Sequence, residues 1–220
     1  MGFTLIMLVI FDLDGTLIDS SEDLAIATNK TREHFAMPPL DPKLIQSYVG
    51  NGAAMLVRRA LGPGASDQLV EEAHSFFVKY YRAHSLAHTR LYAGIEETVS
   101  KLASLGHKLA ILTNKPVRIS RDIVAGLNLG PKFSRIYGGD SFERKKPDPI
   151  GILTLMQETA MAPQQTWMVG DSGVDVETAR NAQVTACGVT WGFQPETFEK
   201  HPPDRVVTRP EELLQLLAAV

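Results

Sequence analysis

Residues 5–11 are seven consecutive apolar side chains that end abruptly at Asp12. A run that short, without polar alternation and rich in aliphatics, predicts a strand buried on both faces of a parallel sheet. Four later segments read the same way: "KLAILTN" (108–114), "FSRIYGG" (133–139), "TWMVGD" (166–171) and "TACGVTWG" (185–192). Stretches of helical period separate them, and this alternation predicts an α/β fold with a doubly wound parallel sheet.

Between Ser20 and about Ala87 the pattern changes to amphipathic helical period with no strand-like run. Ser20 with Asp23 has the form of a capping box opening a helix that Pro38-Pro39 closes. Asp41-Pro42 reads as N-cap and first helical residue of the next. "GNGAAMLVRRALG" restarts a helix after a glycine turn, and Ser66 opens a long final one. The expected organisation is a core of residues 1–17 and 89–220, interrupted by a helical cap over 18–88.

Composition narrows the partners. The chain has 220 residues, 44% of them hydrophobic and 21% charged, with a formal net charge of -3. It therefore has no general attraction for phosphate backbones or anionic lipid, so the expectation is a small-molecule partner, with no nucleic acid and no membrane. The N-terminal apolar run has no basic residue before it and is too short to span a bilayer. The single cysteine, Cys187, cannot form an internal disulfide, which fits a buried thiol in a reducing compartment, the cytoplasm. Monomer and homodimer both stay open.

In open α/β sheets the ligand crevice lies beyond the carboxyl ends of the strands. Asp12 follows the first strand, Thr113-Asn114-Lys115 ends the second, Lys145-Lys146-Pro147 follows the third, and Gly170-Asp171-Ser172 ends the fourth. Asp12, Asp14 and Asp171 would crowd together there, and carboxylates so placed repel unless a cation lies among them. All candidate ligands are oxygens, which points to a hard divalent cation, most simply Mg²⁺. Thr113 and Lys146 suit the oxygens of a phosphoryl group. An ionised Asp12 can attack phosphorus, and Asp14 can protonate the departing oxygen and then deprotonate a water.

"DLDGTLID" (12–19) resembles the DxDGT signature of the haloacid dehalogenase-like hydrolases, and "LTNK", "KKPDP" and "GDSGVD" match that family's later motifs in order. The resemblance covers nearly the whole chain. It implies Asp12 as nucleophile, Asp14 as acid/base, and Thr113 and Lys146 as phosphate ligands, with Asn114 beside them in the substrate site. Mg²⁺ would be held by Asp171, Asp12 and the Asp14 carbonyl, with Asp175 as a further or outer ligand. The helical insertion resembles the family's smaller cap. "YVGNGAAMLVRRAL", "GGDSFERKKPDP" and "VVTRPEELLQLL" resemble the subgroup that hydrolyses 2-phosphoglycolate, so a small phosphorylated metabolite is the expected substrate. The turn Gly50, Asn51, Gly52 and the helix start after it would then receive the substrate carboxylate.

Other readings stand beside these. Within the family, the same motifs serve sugar-phosphate phosphatases, pyrophosphatases, phosphonatases and mutases. Outside it, a receiver-like signalling domain also gathers acids, Thr and Lys, but it needs about half this chain and no cap. Asp19 reads as a local cap or hinge acceptor, and Lys145 as solvated. Tyr80-Tyr81 and Phe76-Phe77 read as packing residues, and the His84/His88 pair as exposed. Asn181 stands where relatives often carry Gly, which its tolerance of left-handed backbone would explain. Asp148 stands where relatives of the subgroup often carry His, with no role assigned.

Overall fold

A computed structural model describes residues 5–218. The chain runs β1 (Leu8–Phe11), β2 (Ile18–Asp19), α1 (Ser21–His34), α2 (Pro42–Gln46), α3 (Ala53–Leu61), α4 (Asp67–His84), β3 (Arg90–Leu91), α5 (Ile95–Ser104), β4 (Lys108–Leu112) and α6 (Val117–Gly126). It continues through β5 (Arg135–Tyr137), α7 (Ile150–Thr159), β6 (Thr166–Gly170), α8 (Gly173–Asn181), β7 (Thr185–Val189), β8 (Arg205–Val207) and α9 (Glu212–Ala218). Six strands form one parallel sheet in the order β5-β4-β1-β6-β7-β8.

The apolar run explains why β1 sits in the middle. Val9 and Phe11 point to one face, into a core that includes Val99 and Leu102 of α5 and Ile119 and Ile123 of α6. Leu8 and Ile10 point to the other, against Ile152 and Leu155 of α7 and Val176 of α8. Period-two alternation thus buries every side chain of β1, each worth about 1.5–3 kcal/mol. Leu8 aligns with both Lys108 and Thr166, and Phe11 with both Ile111 and Val169, so β1 lies between β4 and β6 at the topological switch point.

All five expected strands are present, each shorter than the stretch read for it, the first trimmed to four residues and the third to three. The sixth, β8, escapes the sequence pattern because it is an edge strand of three residues of which only Val207 is buried. A second sheet pairs β2 with β3, Ile18 opposite Leu91 and Asp19 opposite Arg90, antiparallel. This ribbon marks where the chain leaves for the four helices α1–α4 and returns.

Two helix starts follow expectation: the Asp41 carboxylate accepts from Lys43 N and Leu44 N, and Ser66 Oγ accepts from Leu69 N. The capping box at Ser20 and Asp23 is corrected. Ser20 makes no side-chain cap bond, and buried Asp23 instead accepts from His88 N, Thr89 N and Thr89 Oγ1 at 2.8–3.0 Å. Just before the returning strand the chain presents the N–H groups of His88 and Thr89, the latter buried, and their need for an acceptor outweighs local capping. Asp19 is a local acceptor as read, taking bonds from Ser21 N (3.0 Å) and Ser21 Oγ (2.6 Å).

Candidate active site

Asp12 is the first residue past β1; its N–H still donates to Val169 O (2.9 Å), which fixes the side chain at the sheet's rim. Its Oδ1 accepts from Leu13 N (2.7 Å) and lies 3.0 Å from Lys146 Nζ. Lys146 also donates to Asp175 Oδ1 (2.6 Å), and Asp175 Oδ2 accepts from Ser172 N (3.1 Å) and Ser172 Oγ (2.7 Å). The last contacts form a capping box at the start of α8. Asp171 Oδ2 accepts from Phe193 N (2.6 Å). Gly15, at φ +78°, has no room for a side chain, since a Cβ there would lie 2.2 Å from Asp171 Oδ2.

One carboxylate oxygen each from Asp12, Asp171 and Asp175 lie within 4.8 Å of one another, and all three residues are buried. No other such group of three is found among the described residues. Burial pushes the Asp12 carboxyl up to about 6; Lys146 opposes this and Asp175 adds to it. Burial, then the charges of Asp175 and Asp12, hold the Asp171 carboxyl well above its ordinary range. Burial alone would push Lys146 down, but the two aspartates outweigh it and hold it at about 12. Three carboxylates against one ammonium is a surplus of negative charge, and an all-oxygen donor set of this kind fits a hard cation. Both Asp175 oxygens already have protein donors, so that residue anchors Lys146.

The Asp14 carboxylate is held by two donor groups. Lys115 Nζ donates to Oδ1 (2.8 Å) and Oδ2 (3.0 Å), and Ser20 Oγ donates to Oδ1 (2.5 Å). Lys115 also donates to Tyr81 Oη (2.6 Å) and sits 4.5 Å from the centre of that ring. Burial would lower the Lys115 pKa, but Asp14 and Tyr81 raise it on balance. Burial pushes the Tyr81 phenol up to about 12. Sequence reasoning missed Ser20, Lys115 and Tyr81. The first two adjoin motif residues and were open to discovery there. Tyr81 occupies a helical core position, as its packing role requires, and nothing local marks its hydroxyl.

Buried Thr113 lines one cavity with Asp12, Asp14, Asp171, Asn114 and Lys115. Asn114 Nδ2 donates to Gly50 O (2.9 Å) and Lys146 O (3.1 Å), while its buried Oδ1 has no partner among the described residues. From the insertion, Gly50 and Gly52 line the same cavity with Leu24, Val49, Leu56 and Phe77. Asn51 is not in the lining; its Oδ1 accepts from Arg59 (2.9 Å). Lys145, read as merely solvated, donates to Asn51 O (2.6 Å). His84 Nδ1 lies 2.8 Å from Tyr80 O and His88 pairs with Glu22, so the two share no ligand.

The two departures from the family pattern have local explanations. Asp148 Oδ1 accepts from Ile150 N (3.0 Å), tying down the first turn of α7. Asn181 does not take up left-handed backbone; that conformation falls at Gln183 (φ 58°), and Asn181 Nδ2 donates to Pro147 O (2.8 Å), tying α8 to the lysine segment.

The sequence profile of the haloacid dehalogenase-like hydrolases matches residues 9–189. A phosphoglycolate phosphatase of Chromobacterium violaceum is 43% identical over 189 residues, covering 84% of this chain and 85% of the relative. One of Vibrio vulnificus strain CMCP6 is 38% identical over 224 residues, covering 98% and 96%. A crystal structure of a "predicted phosphoglycolate phosphatase" from Haemophilus somnus 129PT superposes with a TM-score of 0.91 at 29% identity, covering 98% of this chain and 99% of that one. The profile spans the strand that mounts Asp12, the helical insertion and the Asp171 loop, and with these relatives it establishes that the chain belongs to the haloacid dehalogenase-like hydrolases.

Proposed function

We propose that this protein is a Mg²⁺-dependent phosphatase that hydrolyses 2-phosphoglycolate to glycolate and phosphate. The observation that carries the reading is the rim of β1: buried Asp12 shares Lys146 with Asp175 and lies in one carboxylate cluster with Asp171, beneath a cavity also lined by Asp14 and Thr113. Asp12, Asp171 and the Asp14 carbonyl would hold Mg²⁺, with Asp175 behind them on Lys146. When bound, the ion neutralises surplus carboxylate charge and polarises the phosphoryl oxygens.

Asp12 attacks phosphorus, forming an acyl phosphate as the bond to the alkoxide oxygen breaks. Asp14 relays a proton to that oxygen, then takes one from the water that attacks the acyl phosphate. Phosphate leaves and the Asp12 carboxylate is regenerated. Lys146 and Thr113 hold the transferring oxygens, where charge grows most in the transition state. Residues 18–88 act as a cap on a core formed by 1–17 and 89–220. The cap supplies the far end of the substrate site, where Gly52 and Ala53 at the start of α3 line the cavity with backbone donors that suit a small carboxylate. The names of the relatives support this substrate. No helix among the described residues is long and apolar enough to cross a membrane. The lone, buried Cys187 supports a cytoplasmic setting.

The test is a panel of 2-phosphoglycolate, hexose 6-phosphates, pyrophosphate and p-nitrophenyl phosphate with purified protein. Activity should vanish on chelation and return with Mg²⁺, and phosphoglycolate should have the highest kcat/KM. A hexose phosphate turned over faster would reject the substrate, and full activity after exhaustive chelation would reject the metal.

A further inference from the structure

Asn114, Lys145 and Gln194 belong to three different loops at the sheet's rim, after β4, β5 and β7. All three reach across the cavity mouth to the main chain of one short segment of the insertion. Gln194 Nε2 donates to Ser47 O (3.0 Å) and Val49 O (2.8 Å), Asn114 Nδ2 to Gly50 O (2.9 Å) and Lys145 Nζ to Asn51 O (2.6 Å). Four of the five carbonyls from 47 to 51 are therefore held by core side chains. The segment also lies flush on the core. Gly52 has φ +86°, and a Cβ there would stand 3.1 Å from both Asn114 O and Lys145 Nζ.

Each of these donors is joined by one peptide bond to a residue of the site. Thr113 precedes Asn114 and Lys146 follows Lys145. Phe193, whose N–H donates to Asp171, precedes Gln194. We propose that Asn114, Lys145 and Gln194 are positioning residues forming a latch that senses whether segment 47–52 is seated and transmits this to Thr113, Lys146 and Asp171. The latch grips backbone, so it responds to how close the segment lies and not to its side chains. A small leaving group lets the segment seat and the site align; a bulky one holds it off and leaves the phosphoryl ligands misaligned. Selection on this scheme acts through leaving-group size, and it rests on the phosphatase reading above.

The experiment compares Lys145→Ala, Gln194→Ala and the double variant with wild type, using the full chain and circular dichroism to verify folding. Amide hydrogen exchange over residues 48–56 should accelerate about tenfold in the double variant, the size expected for losing these bonds, with strands β1 and β4 unchanged. The ratio of kcat/KM for phosphoglycolate to that for glucose 6-phosphate should fall about tenfold, mostly through kcat on phosphoglycolate. Lys145→Arg, which keeps a donor, should restore most of both. Unchanged exchange in the double variant would overturn the latch. Faster exchange with an unchanged substrate ratio would also overturn it, showing that the contacts only hold the segment down. Wild-type protein inert toward every phosphomonoester would instead refute the phosphatase reading, and that result appears before any substitution is made.

Discussion

The rim of the sheet and the underside of the insertion face the same cavity and are built on opposite principles. At the rim, buried ionisable side chains converge from four loops, and each is fixed by its neighbours: Asp12 by Leu13 N, Asp175 by Ser172, Asp14 by Lys115 and Ser20. The insertion offers apolar side chains and bare backbone, with Gly50 and Gly52 nearest the core. Its one polar side chain in the lining, Tyr81, reaches Lys115. The difference teaches a division of labour. Charge must be aimed by a rigid mount, whereas a surface that closes over a substrate needs shape, and backbone provides shape without titrating.

That contrast can be tested by damaging one side at a time. Asp12→Asn is nearly isosteric and should keep the fold while lowering turnover by about 10³-fold or more, since an amide cannot serve as the nucleophile. Retention of more than a few per cent of the rate would remove Asp12 from that role. Lys146→Ala should lower kcat by about 10²- to 10³-fold, because its charge acts most in the transition state. A smaller loss than in Lys145→Ala would reverse the assignment of the two lysines.

Substitutions on the insertion side should act more gently, at Tyr81 on kcat and at Ala53 on KM. Tyr81→Phe removes one bond to Lys115 and should reduce kcat about tenfold with KM nearly constant. An unchanged kcat would mean that Tyr81 takes no part in aiming Asp14 through Lys115. Ala53→Asp places a carboxylate at the start of α3, where the substrate carboxylate is proposed to sit. KM for phosphoglycolate should rise about tenfold and that for p-nitrophenyl phosphate about twofold. Equal rises would place the carboxylate elsewhere.

The smallest effect is on stability. In cation-free protein Asp12 holds its proton more tightly when folded (about 6) than at its ordinary value of 3.8. This group's contribution therefore favours folding at low pH and is lost as pH rises through about 6. Thermal denaturation of chelated protein should show that loss, Asp12→Asn should flatten it, and Mg²⁺ should raise Tm more at pH 7.5 than at pH 5. A Mg²⁺ shift of equal size at both pH values would detach the ion from this cluster.

Legibility from sequence followed the same divide. The α/β alternation, five strands and four inserted helices were readable because burial on both faces of β1 leaves an unbroken apolar run. The rim residues were readable because strand ends fix where side chains converge. What escaped were features set by distant pairing. The edge strand β8 buries only Val207, and Asp23 looked like a cap because its true donors, His88 and Thr89, lie 65 and 66 positions away. Lys145 looked solvated because its acceptor is a backbone carbonyl 94 residues earlier. Main-chain acceptors have no residue type, so no motif can announce them.

The β2/β3 ribbon and the Asp23 knot have a consequence for how this molecule can change. The departing and returning strands are bonded to each other for only two residues on each side, and one carboxylate just inside the insertion holds the return path. Everything between these points could be exchanged for another segment whose ends lie equally close, without altering a single pairing of the main sheet. On the function proposed above, that exchangeable segment carries the far end of the substrate site, and a chimera made at residues 19 and 90 that keeps side chains equivalent to Ser20 and Tyr81 should take on the donor's substrate preference while keeping the host's chemistry.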